Sequence, residues 1–271
     1  MHPGMPQKMA LPGVKYMIAV ASGKGGVGKS TVAANLALAL QAQGQQVGLM
    51  DADIYGPSVP TMMGLGLVDQ KTASFPVIRY GLRLMSMGFL VDPNQPMIWR
   101  GPKVAQAVGS FLTQLDWGVL DYLIIDLPPG TGDAQLTLTQ QAPITGAVIV
   151  TTPQDISLID ARKGLRMFQE VRVPVIGIIE NMSYFIGDDG KRYEIFRHGG
   201  GAKLAEEAGV PLLGQIPIDP KVAECGDAGM PMVMKHPDAP VSLAYLKLAQ
   251  TVMDESKKSG ASHDQLPEVQ L

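Results

Sequence analysis

The nine residues Gly23-Lys24-Gly25-Gly26-Val27-Gly28-Lys29-Ser30-Thr31 constrain this chain more than any other stretch. They follow the apolar run Tyr16 to Ala21 and precede Val32-Ala33-Ala34-Asn35-Leu36-Ala37-Leu38-Ala39-Leu40, so they sit where a buried strand turns into a helix. Gly23, Gly28, Lys29 and Ser30 satisfy the pattern G-x-x-x-x-G-K-S/T. In that pattern backbone N–H groups wrap phosphates, the lysine reaches the outer ones, and the hydroxyl coordinates Mg²⁺. The helix N-terminus behind the loop adds its positive dipole end. The alternative, an ordinary glycine-rich turn, does not require a strand before and a helix after. Gly23 to Thr31 are therefore the candidate phosphate contacts, with Lys29 catalytic and Ser30 a metal ligand.

A second strand, Val47 to Met50, delivers Asp51 and Asp53 at its C-terminal end, the edge where open α/β sheets bind ligands. Two acids beside phosphates repel them unless a cation intervenes, so at least one is expected to act through Mg²⁺ or its water shell. The competing role is a capping or turn aspartate. The next buried strand, Asp121 to Asp126, also ends in an acid, the arrangement that holds the hydration shell of Mg²⁺. Leu127-Pro128-Pro129-Gly130-Thr131-Gly132-Asp133 follows as a loop suited to distinguish ATP from ADP. Further strands are predicted at 147–151, 175–180 and about 212–216. Helices are predicted at 29–43, 58–64, 103–115, 155–169, 201–208 and 240–257, with a small hairpin or a pair of short strands at 75–87 around Gly81. Asn181, at the end of the 175–180 strand, is either a plain turn residue or an amide that reads an adenine edge. Arg100 is either a phosphate or interface group or a solvated charge. Gly187-Asp188-Asp189-Gly190 is a strong turn signal that interrupts the α/β rhythm.

The fold class is therefore α/β, a doubly wound, mostly parallel sheet, in one domain over residues 15–258. Residues 1–14 read as a flexible arm and 259–271 as a disordered tail. The 271 residues are 46% hydrophobic and 17% charged, enough for a sizeable core. A net charge of -3 with no Lys/Arg run argues against nucleic acid as a partner. The absence of a long apolar stretch argues against a membrane span or signal peptide. One cysteine, Cys225, rules out an internal disulfide framework and fits a reducing compartment, so the expected location is the cytoplasm.

Lys24, directly after Gly23, gives the loop a second lysine, a form that resembles the deviant Walker A of the MinD/ParA/nitrogenase-iron-protein class. Within that class the chain resembles the Mrp/ApbC family of ATP-dependent iron–sulfur cluster carriers. The resemblance is carried by Asp51 to Ser58 (DADIYGPS), Trp99 to Pro102 (WRGP), Trp117 to Asp133 (WGVLDYLIIDLPPGTGD) and Glu180 to Phe185 (ENMSYF). It implies a P-loop ATPase that dimerises face to face, with Lys24 reaching the partner subunit's nucleotide as a trans-acting cation. It also implies that Asp53 positions the attacking water, Asp126 is the second switch aspartate, Ser30 binds Mg²⁺ and Asn181 contacts adenine. Lys24, Lys29 and Asp53 are thus the catalytic candidates, and Ser30, Asp53 and Asp126 the metal candidates. Turnover is expected to be slow, because no general base beyond Asp53 is evident.

Two departures from the family pattern shape the functional expectation. Members usually carry C-x-x-C just after the segment matching Glu180 to Phe185, so that two subunits supply the four thiolates a 4Fe–4S centre ordinarily needs. Here that position reads Ile186-Gly187-Asp188-Asp189-Gly190-Lys191. Many bacterial members also carry an extra small N-terminal domain, expected to be absent here. The leading expectation is a homodimeric ATPase in iron–sulfur cluster assembly or transfer to an apoprotein, binding ATP and Mg²⁺. The alternative is a nucleotide-switched regulatory or positioning ATPase that binds a partner protein and carries no cluster.

Overall fold

The computed structural model describes residues 11–53, 56–66, 75–89 and 101–259. Most of the expected arm, the tail beyond Ser259, Ile54-Tyr55 and Trp99-Arg100 lie outside the described residues. In chain order the elements are β1 (Val14–Ser22), α1 (Lys29–Ala42), β2 (Val47–Asp51), α2 (Val59–Met62), β3 (Val77–Arg79), β4 (Leu82–Ser86), α3 (Gly101–Gln114), β5 (Leu120–Asp126), α4 (Asp133–Gln141) and β6 (Gly146–Thr151). They continue with α5 (Asp155–Glu170), β7 (Val175–Glu180), β8 (Phe185–Ile186), β9 (Arg192–Tyr193), α6 (Gly200–Ala208), β10 (Leu212–Gln215), α7 (Pro220–Asp227), α8 (Met232–Lys235) and α9 (Pro240–Lys258).

Eight strands form one sheet in the order β10-β7-β6-β1-β5-β2-β4-β3. Every neighbouring pair is parallel except β3–β4, as the uniformly apolar strands require when helices cover both faces. The helices pack in three sets, α1 with α2, α8 and α9, α3 with α4, and α5 with α6. This is the doubly wound α/β architecture.

Register puts the chemistry on one edge. Val20 of β1 and Asp51 of β2 both stand opposite Asp126 of β5, and Asp51 stands opposite Ser86 of β4. The sheet's C-terminal edge therefore collects Ser22, Asp51, Ser86, Asp126, Thr151 and Glu180. Behind it α1 is buried from Val32 to Leu40, so the loop at its start is anchored in the core. Each large side chain sunk there contributes roughly 1.5–3 kcal/mol.

Several details differ from the sequence reading. The expected arm already joins the body before residue 15, because Leu11 is buried and Val14 begins β1. The strand pair expected at 75–87 forms as β3–β4, and, beyond that expectation, β4 pairs in parallel with β2 and extends the main sheet. Helices α4, α7 and α8 have no counterpart among the predicted elements. Asp219 caps α7 by accepting from the Lys221 N–H, with Pro220 in the first turn, so the Asp-Pro pair was the available signal. The interruption after Asn181 is a two-stranded hairpin, β8–β9, closed by the Gly187 N–H donating to the Lys191 carbonyl at 2.9 Å.

Candidate functional site

Each glycine of the loop has its own reason. A Cβ on Gly23 would stand 2.0 Å from the Asp160 backbone, so helix α5 presses directly on the loop's first residue. Gly26 and Gly28 sit at φ 82° and 77°, the left-handed region that glycine occupies without strain. Gly25 and Gly26 face open space on their Cβ sides. Gly28 caps α1 with no side-chain hydrogen bond, and no acid lies in the first turn. The helix therefore leaves its positive N-terminal end and orphan N–H groups available to an anion.

Lys29 is 6% exposed and its Nζ lies 2.5 Å from Asp126 Oδ1 and 3.3 Å from Ser30 Oγ. The sequence-predicted lysine, hydroxyl and strand-end acid thus converge. Asp126 Oδ2 is buried with no hydrogen-bond partner, an acceptor the fold leaves unused. Burial raises the Asp126 carboxyl, and the Lys29 ammonium opposes that shift. Asp51, fully buried, is pushed up to about 8 by burial first and by the Asp126 charge second. The Lys29 ammonium, in contact with Asp126, lowers Asp51 only as the weakest of these influences.

The structure separates the two aspartates that follow β2. Asp51 Oδ1 accepts from the Asp53 N–H at 3.1 Å, and Ser86 Oγ lies 3.0 Å from Oδ2. It is a turn-forming, internally bonded acid. Asp53 is nearly buried beside the site, accepts from the Gly56 N–H at 3.3 Å, and its charge is felt at Asp126. Lys24 is half-buried, with no ion pair among the described residues, and its carbonyl accepts from Ser22 Oγ at 2.8 Å. The loop after β5 is fastened to the cradle by the Gly130 N–H donating to the Ser22 carbonyl at 3.1 Å.

Asn181 Nδ2 donates to the Val27 carbonyl at 2.9 Å, so this buried amide braces the loop from the side. One N–H and the carbonyl of the amide are left for another partner. Beside it opens a cavity of about 490 Å³ whose lining includes Gly28, Thr31, Asn181, Met182, Ile216 and Ile218. Its mainly apolar lining next to an anion cradle suits a flat base attached to phosphates. Sequence reasoning missed this wall from Ile216 to Asp219. It also missed Ser86, and Gln135, which is buried in the first turn of α4 with both amide atoms unpartnered.

Among the described residues no such constellation is found for iron and sulfur. Cys225 is buried, 3.8 Å from Met232 Sδ, and the described residues hold no group of three or more His, Cys, Asp or Glu placed to bind a metal.

A strand–glycine loop–helix cradle with a buried lysine, a hydroxyl and a strand-end acid defines a P-loop NTPase. The chain belongs to the ParA-type family described as the NUBPL iron-transfer P-loop NTPases, which matches residues 13–253. It is 52% identical over 257 residues to an iron–sulfur cluster carrier protein of Synechocystis, covering 92% of this chain and 73% of that one. It is 47% identical over 265 residues to the mouse iron–sulfur cluster transfer protein NUBPL, covering 96% and 83%. Among solved structures, a nucleotide-binding protein from Archaeoglobus fulgidus in complex with ADP superimposes with a TM-score of 0.74 at 40% identity, covering 88% of this chain and 94% of that one. The cell-division ATPase MinD of Pyrococcus furiosus shares the fold, with a TM-score of 0.67 at 23% identity, covering 88% and 98%.

Proposed function

We propose that this protein binds and hydrolyses ATP with Mg²⁺ and acts in iron–sulfur cluster assembly or transfer to apoproteins. The observation that carries the nucleotide part is the convergence of Lys29, Ser30 and Asp126 below an uncapped helix N-terminus. The assembly role is drawn from the named relatives.

The residues fit Mg²⁺: Ser30, Asp53 and Asp126 are hard oxygen donors, and the unpartnered Asp126 Oδ2 is the acceptor a hydrated cation would use. When bound, the ion supplies neutralisation of phosphate charge. The chain's own groups do the rest. Gly23 to Thr31 hold the phosphates with backbone N–H groups, and Lys29 leaves Asp126 to meet them. Asp53 orients the attacking water, and Asn181 reads the base while bracing Val27. Lys24, reaching a neighbouring subunit in a homodimer, places a cation on the transferring phosphoryl group. Turnover is slow, since Asp53 alone serves as base. The body is one ATPase domain from Leu11 to Lys258, working in the cytoplasm. Among the described residues no helix is long and apolar enough to cross a membrane.

A second reading is favoured by one observation, the hairpin standing where the family's cysteines are expected. In it the ATPase switches a partner protein and no cluster rides on this chain. Anaerobic reconstitution with iron and sulfide, read by visible absorbance, separates the two. Cluster absorbance on the purified protein supports the carrier role. Its absence, with an ATP-dependent pull-down of a partner, supports the switch.

A further inference from the structure

Apart from Asn181, the stretch Glu180 to Phe185 has no part in the phosphate chemistry, yet it joins the cavity to the hairpin. Its root is rigid. Glu180 is 1% exposed, and its carboxylate accepts from Ser183 Oγ at 2.5 Å, from Gln215 Nε2 at 2.8 Å and from the Gly201 N–H at the start of α6. Three donors, one each from the loop after β7, β10 and α6, satisfy this buried carboxylate, and among the described residues no cation pairs with it. A Cβ on Gly201 would stand 2.8 Å from Glu180 Oε2, so the post cannot shift without moving α6.

From that post the chain runs along the cavity wall. Asn181 grips Val27 of the loop, and Met182 sits at φ 53°, an uncommon backbone region for a residue with a side chain. The Ile216 N–H donates to the Glu180 carbonyl, the Ser183 N–H to the Ile216 carbonyl, both at 2.9 Å, and the Ile218 N–H to the Tyr184 carbonyl at 2.6 Å. Phe185, the first residue of β8, bridges Ile218 in parallel. Asn181, Met182, Ile216, Pro217 and Ile218 all line the cavity. The same ladder that builds the wall therefore ends in the hairpin.

The far end is soft. The strands β8 and β9 have two residues each, and the turn is held by exposed groups such as Asp189. Arg192 lies 3.9 Å over the Tyr184 ring, closing the hairpin back on the ladder. A displacement at the wall meets a fixed carboxylate on one side and a weakly held hairpin on the other, so the hairpin yields.

We propose that Glu180 to Phe185 transmits nucleotide occupancy of the cavity to the β8–β9 hairpin. Glu180 acts as a fixed post, Asn181 and Met182 as the moved part, and the Tyr184–Ile218 ladder as the link. The inference rests on the nucleotide reading of the cavity given above. Its output is the order of a surface that exposes Ile186 at 41% and Tyr193 at 47%, where the family's cysteines are expected. By linkage the coupling runs both ways, so loosening the hairpin weakens nucleotide binding.

The test is hydrogen exchange of the 184–193 region of the full chain, alone and with saturating Mg-ATP, beside calorimetric titration of the nucleotide. Mg-ATP is expected to slow exchange there by about threefold or more, and Arg192→Ala to weaken ATP binding by a similar factor, with Arg192→Lys recovering part of it. Heat of binding with unchanged exchange overturns the coupling alone. Slowed exchange with wild-type affinity in Arg192→Ala overturns the link through Tyr184. No heat at all brings down the nucleotide reading, and the coupling with it.

Discussion

The cradle around Lys29 and the hairpin around Asp189 use the same chemistry to opposite ends. In the cradle, an ammonium and a carboxylate meet at 2.5 Å with side chains 6% and 0% exposed. In the hairpin, Lys191 and Asp189 lie 3.5 Å apart with side chains 76% and 42% exposed. Water screens the second pair, so its worth is within about 1 kcal/mol. The first is held away from water, where attraction is strong and an unpaired charge is costly. Charge that is to be handed to a ligand is stored dry, and charge that only shapes a turn is left wet. The Lys191 and Tyr193 contacts hold the Asp189 carboxyl below the usual range without making it a working group.

The contrast is broken most directly at Lys29. Lys29→Ala should cut ATP affinity by about 100-fold or more, read by calorimetry, because it removes the cation that meets the phosphates and leaves the Asp126 carboxylate beside them without its partner. Near-normal affinity would place the phosphates elsewhere. Lys24→Ala and Asp53→Ala should lower the rate of phosphate release by about 100-fold or more while ATP still binds. A Lys24→Ala rate equal to wild type would end the trans-lysine role.

The dry side is sharpened by pH. The Asp51 carboxyl moves from 3.8 when unfolded to about 8 in the fold, so folding favours its protonated form. Its contribution is fully present below about pH 4 and is lost as pH rises through about 8. Asp51→Asn should therefore raise the melting temperature at pH 8 and leave it unchanged near pH 4. An equal shift at both pH values would mean that Asp51 is ionised throughout.

A smaller effect is expected at Gln135, whose amide is buried without partners. Replacing it with Leu removes that desolvation cost and should stabilise the protein by about 1–3 kcal/mol in urea unfolding. Loss of stability would reveal a partner for the amide. Smallest of all, Ile195→Ser, 57% exposed on the segment after the hairpin, should move stability by no more than about 0.5 kcal/mol. A larger loss would show that the wet side is packed against something.

Much of the cradle was legible in the residues because its determinants are local. The glycine spacing, the lysine and hydroxyl at the helix start, and acids ending apolar strands are all readable within a few positions. Those patterns also fixed the parallel sheet, since uniformly apolar strands separated by helices allow little else. Asp51 and Asp53 were read together and then parted by their hydrogen-bond partners, Asp51 taking the Asp53 N–H and Ser86 and Asp53 the Gly56 N–H, which no spacing encodes.

The sequence by itself determined the class of site and which residues could serve it. Only the tertiary structure decided which of them meet. Lys29 reaches Asp126 across 97 residues, Asn181 braces Val27 across 154, and Asp160 presses on Gly23 from another helix. It likewise decided that Ile216 to Ile218 would wall the cavity and tie it to the hairpin. These contacts depend on strand order and register, which are set by how all the apolar faces pack at once.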